Sequence, residues 1–401
     1  MEHGENFLLF VGIIFALSAL VRIGCKSFRL PPAVGYLCVG LALNFLNERY
    51  GFFSENSKHH LKLFSELGLM LLLFKVGIGS DVKQLIKQFK KALVLAASNF
   101  LISGFLGFLA TYYVLQVDLL TSLFVGAALS ATSVGVTSAV WSESGQLKSS
   151  NGSLLIDMAE IDDILGILAM IILFALAPRI ANGESILLDW ELVGTILSIL
   201  VKTVILVTLC YSFAKYVEPW ISQRAEDADS SYMFLCAITV GVCTLISYLS
   251  VKLGFSIAVG AFFAGLAYSK DPNENKIENG LELVYLLLVP FFFVGISMAV
   301  DLAKISEAIM PGIILSVVAI AGKIIGVVLP AKFLRIEGKS LLLGVSMIPR
   351  AEIALVIMVA GVSMPGVNVS STIYISVIFV SIVTCVMGPL WTNYILQRQE
   401  P

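Results

Sequence analysis

Apolar runs of about 20 residues, separated by short polar breaks, recur from one end of this chain to the other, and that length matches the hydrocarbon core of a bilayer. We read about thirteen such segments, at 6–24, 30–47, 60–79, 91–114, 119–141, 153–178, 187–214, 229–251, 254–269, 280–300, 307–331, 340–364 and 371–396. In hydrocarbon, every backbone N–H and C=O must find its partner within the protein, and segments of this length satisfy that requirement only as helices. The expected fold is therefore an all-α polytopic membrane protein whose solvent is lipid. With 58% hydrophobic and 13% charged residues among its 401, the chain lies far outside the range of a soluble domain. The first run lacks the basic start of a signal peptide and is expected to be retained as a membrane helix.

Several function classes fall away at once. A formal charge of −2 cannot supply the basic excess that a nucleic-acid partner demands. The six cysteines are scattered, mostly within apolar runs, and read as small buried hydrophobes. His3, His59 and His60 are too few and too peripheral for a metal centre, and nothing in the pattern calls for a cofactor.

Lysine and arginine crowd one set of loops, among them Arg22, Lys26, Arg29, Lys83, Lys87, Lys90, Lys91, Lys148, Lys270, Lys332, Arg335 and Lys339. The opposite set carries Arg49, Lys58, Lys62, Arg179, Lys252 and Lys304. By the positive-inside rule the N-terminus is expected outside and the C-terminus in the cytosol, with the plasma membrane as the site. Between segments 3 and 4, Val82, Leu85, Ile86 and Phe89 share one helical face while the lysines fall elsewhere, which reads as an interfacial helix or a plain basic loop.

The chain also repeats itself. Ala33-Val34-Gly35 followed by Gly40-Leu41-Ala42 in segment 2 recurs as Ala258-Val259-Gly260 followed by Gly265-Leu266-Ala267 in segment 9. Phe74, Val76, Gly77 and Ile78 of segment 3 match Phe292, Val294, Gly295 and Ile296 of segment 10. An offset of seven segments is odd, so the copies, 6–178 and 229–396 around a linker helix at 187–214, have opposite orientation. Inverted repeats of this kind build secondary transporters with a substrate site near the midplane.

Ionisable groups inside the spans cost at least about 2.5–3.5 kcal/mol each and are functional candidates by default. Asp162 and Asp163 sit on segment 6, about 13–15 Å from its cytosolic end at 1.5 Å per residue. Lys323 on segment 11, Arg350 and Glu352 on segment 12, and Thr132 and Ser133 on segment 5 reach about the same depth. Segments 5 and 12 are repeat-equivalent and each carries helix breakers there: Ser130-Ala-Thr-Ser-Val-Gly135 in one and Pro349 in the other. Broken helices crossing at that depth would offer carbonyls and helix ends to an ion, although hydroxyls bonded to their own helix account for Thr132 and Ser133 as well.

Three acids (Asp162, Asp163, Glu352) face two bases (Lys323, Arg350), which leaves one carboxylate without a counter-charge. A proton or a hard cation held by oxygens can neutralise it, but not both together, and that exclusivity is what antiport requires. Asp157 and Glu160 lie on the same side of segment 6 as Asp163 and read as an acidic funnel from the cytosol; solvation of a helix start explains Asp157 equally. Lys75 is expected to snorkel toward the cytosolic surface, and Lys202 has no evident partner. An aspartyl protease would need its carboxylates on different helices, whereas these two are adjacent on one.

Ala131-Thr-Ser-Val-Gly135, Ile161-Asp-Asp-Ile-Leu-Gly166, Gly322-Lys323 and Pro349-Arg-Ala-Glu352, in this order, resemble the cation:proton antiporter-2 family, which contains bacterial sodium/proton antiporters and glutathione-gated potassium efflux systems. The resemblance covers essentially the whole length. It implies that Asp163 carries Na+ or protons and that Asp162 pairs with Lys323 when no ion is bound, with Arg350 and Glu352 in supporting ion pairs. It also implies electrogenic exchange of two protons for one sodium, as goes with a double aspartate. A homodimer follows too, in which segments 4–6 and 11–13 form a moving core, by an elevator-like alternation of access, against a dimerisation part made of segments 1–3 and 7–10. Glu160, where the family is usually apolar, and Lys75 depart from the pattern. No cytosolic regulatory domain is expected after segment 13, which favours Na+ or Li+ over the alternative of a K+/H+ antiporter or potassium efflux system.

Overall fold

The structure is a computed structural model that describes residues 2–27, 30–51, 55–79, 85–147, 149–182, 190–228, 232–269, 274–334, 340–364 and 367–398. Arg29, Lys83, Lys148, Lys270, Arg335 and Lys339, which contribute to the charge asymmetry, lie outside these residues, as do the side chains of Lys87 and Val134 to Val136. Every regular element among the described residues is helical. In chain order they are α1 (Glu2–Ser27), α2 (Pro32–Tyr50), α3 (Glu55–Ile78), α4 (Leu85–Leu109), α5 (Leu119–Ser130), α6 (Val134–Glu143), α7 (Ser150–Ala181) and α8 (Trp190–Ser212). There follow α9 (Glu218–Ala228), α10 (Tyr232–Lys252), α11 (Ile257–Tyr268), α12 (Glu274–Met298), α13 (Ile305–Phe333), α14 (Ser340–Ser346), α15 (Glu352–Ser363) and α16 (Ser371–Gln397).

Each apolar segment of the sequence contains one of these helices, and two of the segments contain two. Among the described residues, eight helical stretches are long and apolar enough to cross a membrane, and three shorter apolar helices, α5, α11 and α15, accompany them. The chain is an integral membrane protein. The basic stretch before segment 4 is no separate interfacial helix from Leu85 onward: α4 runs unbroken from Leu85 to Leu109, and Asp81 to Gln84 lie outside the described residues. Lys90 and Lys91, both exposed, sit near the start of α4, where long side chains can reach outward without interrupting the helix.

Local chemistry sets the joints. Asp118 caps α5 by accepting from Thr121 N at 2.9 Å, after a turn in which Gln116 takes a positive φ of 54°. Ser149, Ser256 and Ser370 cap α7, α11 and α16 in the same way, each accepting from the N–H three residues on. Gly254, at φ +91°, supplies the left-handed residue that turns α10 into α11.

The chain divides into two compact units. In the first (1–20, 45–83 and 184–298), α3 packs against α11 and α12 through glycines. A Cβ on Gly77 would collide with the Phe262 carbonyl, and one on Gly265 with the Phe74 carbonyl. Helices gain no hydrophobic advantage from touching one another in lipid, so close backbone approach at small residues supplies the packing energy.

The second unit (21–44, 84–183 and 299–401) is built round α13, which packs along α4 and α16, with α7 along α4 and α5. Its fully buried floor is a cluster around Trp141, Leu155, Met158, Leu343 and Met347. The repeat-matched glycines also behave alike within their own units. Gly35 faces Val21 and Cys25 of the helix before it, and Gly260 faces Ser247 and Ser250 of the helix before it.

Candidate functional site

Within the second unit both expected helix breaks are present. Residues 131–133 separate α5 from α6, with Ala131 (φ −67°, ψ 145°) and Ser133 (φ −105°, ψ 97°) extended. Residues 347–351 separate α14 from α15, where Pro349 withholds an N–H and restrains Ile348 before it. The Pro349 ring packs on Gly388 of α16, where a Cβ would lie 2.6 Å from its Cγ. The two breaks are tied directly: Ser133 N–H donates to the Pro349 carbonyl at 2.8 Å. On the same side Thr137 Oγ1 donates to the Ser346 carbonyl at 2.8 Å, and Trp141 Nε1 to Ser346 Oγ at 2.9 Å.

A broken helix leaves carbonyls without intrahelical donors and a negative dipole end, which in hydrocarbon must be met by cations. Lys323 and Arg350 do this. Lys323 Nζ donates to the Ser130 carbonyl at the end of α5 and stands 3.2 Å from Asp162 Oδ2, with both side chains fully buried. Arg350, also buried, donates from Nε to the Leu129 carbonyl (2.9 Å) and from Nη1 to the Ile348 carbonyl (2.6 Å). Its Nη2 reaches Ser103 Oγ at 2.9 Å and the Ala319 carbonyl at 2.8 Å. Among the described residues Arg350 forms no ion pair with a carboxylate; in place of the expected pair it holds the Leu129 and Ile348 carbonyls, which the breaks leave open, together with the Ala319 carbonyl within α13 and the Ser103 hydroxyl on α4.

Glu352 stands instead at the first position of α15, where a negative charge complements the helix dipole, and accepts from Ser133 Oγ at 2.6 Å. Ser133 thus aims its proton at Glu352 and keeps its lone pairs. Thr132 is buried and its hydroxyl stands beside the Asp162 carboxylate, although neither Thr132 Oγ1 nor Asp162 Oδ1 completes a well-formed hydrogen bond among the described residues.

The aspartates come from the middle of α7. Four residues beyond Asp162, Gly166 faces Ile353 and Ala131, where a Cβ would meet Ile353 Cγ2 at 3.0 Å and Ala131 Cβ at 3.7 Å. The glycine of the Asp-Asp-Ile-Leu-Gly run is thus what lets α7 lie against both breaks. Asp162 turns inward to Lys323. Asp163, partly exposed, makes no hydrogen bond or ion pair among the described residues, and lies within electrostatic range of Asp162, Glu160, Glu352 and Lys323. Asp157 is buried and Glu160 partly exposed; they precede Asp163 on α7 by nearly two turns and nearly one turn respectively.

Other charges lie elsewhere. In the first unit Lys75 ion-pairs with Glu282 at 3.0 Å and covers the Tyr285 ring at 4.5 Å, about a third of its side chain remaining exposed. Lys202 has no hydrogen bond or ion pair among the described residues. Sequence reasoning missed Ser103 and Asn99 on α4; the signal available was the polar set Ser98, Asn99 and Ser103 in the middle of an apolar run. Among the described residues no cluster of three His, Cys, Asp or Glu is arranged to hold a resident metal ion.

Known proteins are similar to this chain over most or nearly all of its length. A sodium proton antiporter from Methanocaldococcus jannaschii, MjNhaP1, has the same fold at a TM-score of 0.76 over 99% of both chains, with 17% identity. The chain is 30% identical over 396 residues to a Na+/H+ antiporter of Enterococcus hirae, covering 97% of this chain and 98% of that one. It is 28% identical to the high-affinity Na+/H+ antiporter NhaS3 of Synechocystis, covering 84% of this chain and 72% of that one. The transmembrane sodium/hydrogen exchanger model matches residues 12–398. Crossed broken helices, buried cations at their ends and a whole-length match together lead to one conclusion: the chain belongs to the sodium/hydrogen exchanger family of integral membrane transporters.

Proposed function

We propose that the protein exchanges Na+ (or Li+) for protons, with the two competing for Asp163. The observation that carries this reading is the asymmetry of the aspartate pair: Asp162 is held by Lys323, while Asp163 beside it has no counter-charge of its own. A monovalent ion arriving at Asp163 would find oxygens within the same region, the Thr132 hydroxyl and Asp162 Oδ1, and the lone pairs of Ser133. Oxygen ligands of this kind suit a hard cation. Protonating Asp163 would remove the charge that attracts the cation, so one site serves both substrates in turn.

Asp157 and Glu160 act in this reading as the acidic approach along α7. Binding of the cation releases Asp162 from Lys323. When the cation leaves, Asp162 and Asp163 each take up a proton, and loss of the Asp162 proton restores its pair with Lys323 before the next cation binds. The two carboxylates then carry two protons against one Na+, and the exchange is electrogenic. The part that carries the site moves by an elevator-like alternation of access. The protein works as a homodimer in the plasma membrane, N-terminus outside and C-terminus in the cytosol, as the sequence's charge asymmetry suggests, and it needs no cofactor. The names of the relatives support sodium as the cargo.

The test is Na+-driven proton movement in inverted vesicles. Asp163→Asn should abolish it, and normal exchange in that variant overturns the assignment. Comparing Na+, Li+ and K+ in proteoliposomes of the unaltered protein decides the cargo, and a response to K+ alone would overturn the sodium reading.

A further inference from the structure

Asn99, in the middle of α4, is completely buried, and neither its Nδ2 nor its Oδ1 has a hydrogen-bond partner among the described residues. Its neighbour Ser98 is fully engaged, donating toward the Val94 and Gly326 carbonyls. A buried carboxamide with both ends unmet demands an explanation, because proteins pair such groups almost without exception. The neighbourhood offers one. Asn99 faces Gly326 of α13, where a Cβ would lie 2.7 Å from Asn99 Cα and 3.3 Å from its Oδ1. One turn away on α13, Gly322 meets Ser103 in the same manner, with a Cβ 2.9 Å from Ser103 Cα. Lys323 directly follows Gly322 in the chain and precedes Gly326 by three residues.

Residues three apart on a helix have Cβ atoms about 5–6 Å from each other. Asn99 therefore packs about one turn of α13 beyond Lys323, a distance that the flexible four-carbon stem of Lys323 can cover by changing rotamer. The Lys323 ammonium has three donors and two acceptors, the Ser130 carbonyl and Asp162 Oδ2. A cation bound at the aspartate pair takes Asp162 from it. A buried ammonium left without a replacement would be strongly destabilising, and Asn99 Oδ1 is an acceptor with nothing else to do.

We propose that Asn99 is the seat to which the Lys323 ammonium moves while a cation occupies the aspartates. Asn99 touches no transported ion; it is a positioning residue that acts through Lys323. It sets how readily Lys323 yields Asp162, and hence the affinity for the cation. This inference rests on the antiport reading above.

The experiment measures the KM for Na+ of proton release in proteoliposomes for the unaltered protein, Asn99→Leu, Lys323→Gln and the double variant, with heat stability in detergent alongside. Asn99→Leu keeps the size of the side chain and removes the acceptor. Its KM should rise about tenfold, the loss expected for one hydrogen bond to a charged group, with little change in maximal rate. Its heat stability should equal or exceed that of the unaltered protein, since two unmet polar atoms are gone. In the Lys323→Gln background, where there is no ammonium to seat, Asn99→Leu should change KM no further.

Should Lys323→Gln not transport, Na+-induced stabilisation against heating reads cation binding in all four proteins and closes the same cycle. Should Asn99→Leu not accumulate, Asn99→Ala carries the same expectation for KM. An unchanged KM, an equal rise in both backgrounds, or lost heat stability with KM intact would overturn the proposal. Absence of Na+-driven proton release in the unaltered protein would instead overturn the antiport reading.

Discussion

The backbone N–H of Ser133 donates to the carbonyl of Pro349 at 2.8 Å, so the two interrupted helices are joined to each other at their breaks rather than merely lying close. One residue thereby has two separable jobs, because its side chain separately donates to Glu352 at 2.6 Å. Ser133→Ala removes only the second. It should raise KM for the cation several-fold and cost about 1–3 kcal/mol, the contribution of a hydrogen bond to a half-buried carboxylate. Ser133→Pro removes the N–H as well and should abolish transport. Equal activity of the two variants would show that the backbone tie is dispensable.

The Lys323–Asp162 pair is fully buried, and removing one member leaves the other charge uncompensated. Lys323→Gln and Asp162→Asn should each lower stability by about 3–5 kcal/mol. The double variant, with no buried charge left at this position, should recover much of that loss. Thermal unfolding in detergent of the four proteins reads the cycle, and additive losses in the double variant would mean that the two side chains do not sense each other.

Arg350 holds four acceptors on α4, α5, α13 and its own break. Lysine at this position would keep the charge and lose the planar fork that spans them. Arg350→Lys should therefore cost at least about 3 kcal/mol, as two or more carbonyls lose their donors. A melting temperature equal to that of the unaltered protein would refute this division of labour, and would leave the charge alone as what matters.

The breaks themselves could be read from the letters, because Pro349 lacks an N–H and the Ala131-Thr132-Ser133 run favours helix weakly. Counting 1.5 Å per residue from the polar ends also brings Asp162 and Lys323 to one depth, while their pairing with each other is what the family resemblance implies. The partners of Arg350 could not be read in this way. The Leu129 and Ile348 carbonyls become available where their helices stop, the Ala319 carbonyl and the Ser103 hydroxyl by side-by-side packing of α13 and α4, and the sequence names charges but not the acceptors that packing brings to them. Gly166 was visible as part of a motif, yet its reason, the approach of α7 to Ala131 and Ile353, is a matter of three-dimensional packing. Asn99 escaped notice for the opposite cause: one uncharged amide in an apolar run carries little signal until its lack of partners can be counted. The run from Leu85 was ambiguous between loop and interfacial helix because its periodicity continues without a break into the apolar part of α4.

Glycine at position 166 is open to a direct test of that packing. A Cβ there would meet Ile353 Cγ2 at 3.0 Å, a contact that a small shift of the isoleucine can absorb. Gly166→Ala should consequently remain folded and keep measurable exchange. Gly166→Leu must push α7 off both breaks and separate Asp162 and Asp163 from the oxygens of residues 131–133. Its transport should be lost even where the protein still inserts and migrates as the unaltered chain does. Retained exchange in Gly166→Leu would mean that the site tolerates a gap between α7 and the breaks.

Competition between proton and cation has its own signature in pH. If the two are mutually exclusive at Asp163, lowering the pH below the titration of the site must raise the apparent KM for Na+ and leave the maximal rate approachable at high Na+. For one competing proton the rise tends to about tenfold per pH unit, by mass action between ligands of one site. If Asp162 must also take up a proton when it loses the cation, the two carboxylates titrate as a coupled pair and the limiting slope approaches about a hundredfold per unit. The slope therefore also reports on charge movement. Two protons against one Na+ carry one net charge, and an imposed potential should shift the exchange equilibrium by about 2.3 kcal/mol per 100 mV. A single-proton slope together with indifference to potential would be internally consistent, and would limit the exchange to one charge for one, with Asp162 remaining paired to Lys323 throughout. A KM independent of pH, with only the maximal rate falling in acid, would remove competition at Asp163 altogether.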